Sequence, residues 1–118
     1  MEKFVDSNGY VALLLSDAYG NGWWSDHRID ALLWSPKIVD WILRGKPEEE
    51  DSSLLEHLSW HLSGDRGEVD DELAESYLDT LHRDVVVHWI PIGTEFVIDS
   101  YDGQETVLTE ENFVWHSA

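Results

Sequence analysis

Residues 69–90, VDDELAESYLDTLHRDVVVHWI, change their periodicity once, and that change decides the fold class. Leu73, Tyr77, Leu78 and Leu81 recur three and four positions apart, the spacing of one helical face, and most of the intervening positions are Asp or Glu. From Val85 to Ile90 the chain turns β-branched and apolar, and Pro91 and Gly93 break the run. A helix over 69–81 is therefore expected to run into a strand over 85–90.

Upstream, a second helix is expected from Pro47 to Gly64. Glu48, Glu49, Glu50 and Asp51 lie at its positive end, and Leu54, Leu55, Leu58 and Leu62 form its stripe. Ser35 and Pro36 start an earlier helix as N-cap and first helical residue, Ile38, Val39, Trp41 and Ile42 give its apolar face, and Arg44 and Gly45 close it. Residues 29–34 fit either a helical turn or a short strand. Tyr10–Leu15, between Asn8–Gly9 and the turn-rich 17–22, is the pattern of a buried strand. Downstream, 95–99 alternates with Phe96 and Ile98 on one side, Asp102–Gly103 makes a tight hairpin turn, 106–108 returns, and 113–115 forms a last short strand. The order predicts a single α+β domain over 1–118. Its mostly antiparallel sheet combines one N-terminal strand with a C-terminal β-meander, and two to three helices are inserted between.

Composition limits the function classes. The chain has 118 residues, 42% of them apolar, with seven tryptophans, enough for a packed core. Without cysteine, thiolate and disulfide chemistry are excluded. The start Met1–Glu2–Lys3–Phe4 lacks a signal-peptide pattern, and the longest apolar run is too short to span a bilayer. A soluble protein of the host-cell cytoplasm is expected.

Charge is the strongest functional signal: 25 acids face 7 bases, for a net −18. Residues 1–47 hold six acids and five bases, 48–84 thirteen and two, and 85–118 six and none. Direct binding to nucleic acid or to an anionic membrane is disfavoured. Salt adaptation would colour the whole surface, whereas the first 47 residues are nearly neutral.

Some residues resemble a small family of bacteriophage and prophage proteins. They are Gly20, Gly22 and Trp23, then Trp89–Ile90–Pro91–Ile92–Gly93–Thr94–Glu95–Phe96, then Tyr101–Asp102–Gly103–Gln104–Glu105. Together they cover about a third of the chain, and residues 46–84 take no part. The resemblance brings no catalytic residues. It implies a phage setting, where small acidic proteins block host nucleases or defence complexes.

On a helix, Glu68, Asp71, Glu72, Glu75 and Asp79 can share one side, with neighbours about 6 Å apart. A DNA strand presents one charge per ~3.4 Å of axis. A lysine- and arginine-lined groove could accept such a helix in place of nucleic acid. The expected function is an acidic inhibitor that mimics a phosphate backbone toward a basic, nucleic-acid-handling host protein (restriction, CRISPR or another defence complex). Glu48, Glu49, Glu50 and Asp51 would form an auxiliary patch. The bland alternative is a solvated helix face, although this one lacks interleaved lysines.

A second reading makes Tyr19, Trp23, Trp24 and Arg28 a wall for a small, nucleotide-like ligand, against the alternative that these aromatics are core. His57 and His61, four apart, could hold a metal with a third ligand such as His82, though this spacing more often marks surface or boundary residues. No nucleophile constellation or phosphate loop stands out. Neither an enzyme nor a bound cofactor is expected.

Overall fold

The computed structural model describes residues 2–18, 22–24, 29–63 and 71–109. Strand β1, Tyr10–Ser16, is inaccessible from Val11 onward, as expected for an apolar run covered on both faces. The Asp6 carboxylate sets up its entry by accepting from the Asn8 and Tyr10 N–H groups at 2.9 and 2.8 Å. Helix α1, Asp30–Trp34, settles the ambiguous segment as helical.

Helix α2, Pro36–Leu43, begins where the sequence predicts, and Ser35 Oγ accepts from Ile38 N–H at 3.3 Å. It ends through Gly45 at φ 90° and Lys46 at φ 56°. A 3-10 turn, Glu48–Glu50, then leads into helix α3, Asp51–Ser63. Helix α4, Asp71–Arg83, runs two residues beyond the expected end at Leu81, so that the Asp84 N–H still bonds to Thr80 O at 2.8 Å. Asp51, at the start of α3, meets His82, at the end of α4, which fixes the two helices as antiparallel.

Strands β2, Val85–Pro91, β3, Phe96–Tyr101, and β4, Gln104–Thr109, follow. The Asp102–Gly103 turn has both residues at positive φ, 50° and 87°, the geometry that matches hairpin twist. Expected strand 113–115 lies outside the described residues.

The α+β class is as expected, but the sheet is not a single one. Among the described residues, β1 pairs antiparallel with β2, and β3 pairs antiparallel with β4, in two separate two-stranded sheets. The bonds Ile92 N–H to Gly9 O and Asp17 N–H to Asp84 O set the alternation, so the backbone N–H and C=O groups of odd-numbered β1 residues point to β2. Even-numbered N–H groups point to the other edge, where Ala12 donates to Phe4 O at 2.9 Å and Ser16 donates to the Glu105 carboxylate at 2.9 Å. A β4 side chain thus takes the place of a neighbouring strand's carbonyl, and β4 does not extend the ladder. Glu105 is fully buried.

The β1–β2 pair separates two cores. Ala12, Leu14 and Val85 face the helices, packing with Trp23, Trp41, Leu54, Leu58, Ala74, Tyr77 and Leu81. Val11, Leu13, Leu15 and Ile90 face the other way, against Leu33, Trp34, Phe96, Ile98 and Val107. Neighbouring Leu32 and Leu33 divide α1 between the two cores.

Candidate partner interface

The apolar stripe of α4 (Ala74, Tyr77, Leu81, with half-buried Leu73 and Leu78) pins the helix to the core and fixes which side faces solvent. Glu72, Glu75 and Asp79 all fall on that exposed side. Successive carboxylates are separated by three and four residues, close to one helical turn, so they stand in a row. Among the described residues none of the three makes a hydrogen bond or an ion pair. Asp71 is the first residue of the helix, and its side chain, like the whole of Glu68, lies outside the described residues.

The described bases are mostly engaged elsewhere. Arg44 joins Asp40, at 2.8 Å, and clasps Glu50 through both terminal nitrogens. These bonds hold the guanidinium well above its ordinary pKa and the Glu50 carboxyl below its own. Lys37 Nζ donates to Ser53 Oγ at 2.6 Å, and Lys3 Nζ stands 4.4 Å from the Trp34 ring centroid. Lys46 Nζ donates to the carbonyls of Leu81, His82 and Val85 at 2.6, 3.1 and 3.1 Å. A cation thus meets the negative end of α4 and closes its orphan carbonyls. Burial lowers the Lys46 pKa, and Asp84 partly opposes that. Arg83, also exposed, follows Asp79 by four residues and limits the acidic row at its C-terminal end.

The auxiliary patch is therefore half of what the sequence predicts. Glu48 and Glu49 are exposed, whereas Glu50 belongs to Arg44 and Asp51 belongs to His82 at 2.9 Å. Local sequence order put four acids together, and tertiary contacts claimed two of them.

The aromatic wall is corrected more sharply. Trp23 is 1% exposed and packs edge-to-face on Tyr77 with centroids 5.0 Å apart, so it is a core residue. Among the described residues its Nε1 has no hydrogen-bond partner. Trp24 is half-buried, and its Nε1 donates to Asp30 Oδ1 at 3.2 Å. Tyr19 and Arg28 lie outside the described residues.

His57 and His61 do come together, edge-to-face at 4.6 Å between centroids. His57 Nε2 is engaged with Ser35 Oγ at 2.9 Å, and His82, one of the third ligands considered, is turned to Asp51. Burial first, then His61 and Lys37, push the His57 pKa down to about 4. Burial also lowers that of His61. Among the described residues no group of three or more metal-ligating side chains forms. No helix among them is long and apolar enough to cross a membrane.

A residue that sequence reasoning missed as structural is Glu105, which it left between the Asp102–Gly103 turn and a returning strand expected only from 106. Val107, two positions on, and Ile98, which pairs with Val107 across the hairpin, pack on the core, and that alternation was the available signal.

The chain matches no protein-family model, no curated protein and no solved structure.

Proposed function

We propose that this protein is a small acidic inhibitor that uses the exposed face of α4 to occupy a basic, nucleic-acid-binding surface of a host protein. The observation that carries the reading is the row Glu72, Glu75 and Asp79, exposed and without an ion pair among the described residues, while Lys3, Lys37, Arg44 and Lys46 are engaged elsewhere. A rigid helix holds these carboxylates at near-regular intervals. A phosphate-binding groove, built to neutralise a row of anions, gains similar Coulomb energy from either occupant. Glu48 and Glu49 add charge nearby in the chain. The resemblance to phage proteins directs the choice of partner toward restriction, CRISPR or other defence complexes that handle nucleic acid. Inhibition would be steric and electrostatic competition, with fast, salt-sensitive association.

The test is capture from host lysate at low and high salt, using the wild-type chain and the variant Glu72→Gln/Glu75→Gln/Asp79→Asn. The wild type should retain a nucleic-acid-handling protein at low salt, release it at high salt, and lose it to added duplex DNA or RNA. The amide variant should lose it at both salts. Equal retention by wild type and variant would sink the mimicry.

A further inference from the structure

A groove of about 440 Å³ opens between α1 and strand β3. Trp24, Trp34 and Phe96 supply its aromatic walls, Leu33 and Ile98 add apolar surface, and Asp30 provides its carboxylate. The rings of Trp34 and Phe96 stand 5.7 Å apart with their planes at 78°, so they form a corner rather than a stack. Aromatic faces meeting at a steep angle beside a carboxylate make up a cage for a positive charge, because each ring face carries the negative part of its quadrupole. Trp34 already takes one cation: the Lys3 ammonium lies 4.4 Å from its ring centroid.

The sign of the ligand follows from the electrostatics. The groove sits in a protein of net charge −18, and among the described residues Asp30 is the charged side chain in its lining, while the Lys3 ammonium is taken up by the Trp34 ring. An anionic guest would enter against that field, and a cationic one with it. The kind of cation follows from the hydrogen bonding. Asp30 Oδ1 accepts from Trp24 Nε1, and the other side chains that line the groove are aromatic or aliphatic. Among these side chains only the remaining lone pairs of the Asp30 carboxylate can receive the N–H donors of a primary ammonium or a guanidinium, whereas an alkylated ammonium has no such donors to satisfy. Its methyl groups spread the charge and cover the rings. The volume falls within the range that small-molecule sites occupy.

We infer that this groove is a binding site for a small quaternary ammonium compound, with Trp24, Trp34 and Phe96 as the cage and Asp30 as the counter-charge. The site uses none of the carboxylates of the α4 row, so it stands independently of the proposed inhibition. Its consequence for sequence reading is a reversal of ligand sign, because the nucleotide-like guest expected of the Gly/Trp loop was an anion.

The experiment is a titration of the full chain with choline, followed by NMR of the tryptophan indole N–H resonances, which separates the seven tryptophans. Choline should shift the Trp24 and Trp34 resonances saturably at millimolar concentration. Its neutral isostere 3,3-dimethylbutanol should bind about tenfold more weakly, the difference attributable to cation–π and charge attraction. Ethanolamine should also be weaker than choline. Asp30→Asn, an exposed change that spares the core, should weaken choline about fivefold and leave the neutral isostere unaffected. Trp34→Leu should abolish the choline shift at Trp24, with thermal melting run beside it to establish that the variant is folded. The inference is overturned if choline moves neither indole, if the isostere binds as tightly, if ethanolamine binds more tightly, or if Asp30→Asn leaves choline affinity unchanged.

Discussion

The helical hairpin α3–α4 and the β3–β4 hairpin are both acidic, yet they use carboxylates in opposite ways. On α4 the apolar stripe anchors the helix, and Glu72, Glu75 and Asp79 are left in water, where their charge is available to a partner. On β4 the period is two, and Glu105 falls on the same side as Val107, facing the core. There it accepts from a β1 amide and substitutes for a strand. One residue type is an outward field in one region and an internal hydrogen-bond acceptor in the other. The geometry of the supporting element, and not the amount of acid, decides between them.

That contrast is open to attack at Glu105 first. Glu105→Ala should destabilise the fold by roughly 3 kcal/mol, through the orphaned Ser16 N–H and the volume lost, whereas Glu105→Gln keeps an acceptor and should cost about 1 kcal/mol or less. Urea denaturation measures both. Equal loss in the two variants would mean that β1 requires the carboxyl group itself rather than any acceptor of its size.

Next in size is Lys46, the base that joins α2 to the end of α4. Lys46→Met should cost about 2 kcal/mol, since three carbonyls lose a charged donor while the aliphatic stem is retained. Amide hydrogen exchange should quicken in the last turn of α4 and leave its first turn unchanged. Faster exchange along the whole helix would show that the lysine does more than cap it.

A smaller effect is expected from acid. His57 takes up a proton near its ordinary 6.5 in the unfolded chain but only at about 4 in the fold, so the unfolded state binds more protons between those values. Its contribution to stability is complete above 6.5 and declines as pH falls toward 4. His57→Gln should flatten that part of the stability profile, and an unchanged acid limb would rule out this assignment.

The smallest effect on folding belongs to the acidic row itself. Changing Glu72, Glu75 and Asp79 to amides should move stability by no more than about 0.5 kcal/mol, because these groups are exposed and neighbours of like sign repel. A large loss of stability would place the row in the architecture and remove it from the proposed interface.

Much of the fold was legible because local signals agreed with one another. Ser35 and Pro36 start α2, the Leu stripe defines α3, Leu73 to Leu81 define α4, and Asp102–Gly103 turns the hairpin. The acidic row of α4 was legible for the same reason, since helical register fixes which side chains share a face once the apolar stripe is known. The fate of the other acids was not. Glu50 and Asp51 look like Glu48 and Glu49 in the chain, and only the approach of Arg44 and of His82 separates them. Trp23 and Trp24 are neighbours in sequence, but one fills the core and the other lines a groove.

By itself the sequence determined the α+β class, the element order, the charge and the outward face of α4, all of which follow from periodicities of two and 3.6 and from turn chemistry. Tertiary structure decided that the described strands form two sheets rather than one, that Glu105 is buried between them, which carboxylates are engaged by other side chains, and that Trp34 and Phe96 meet at a corner. Each of these outcomes depends on segments distant along the chain arriving at one place. Local propensity carries no term for such a meeting.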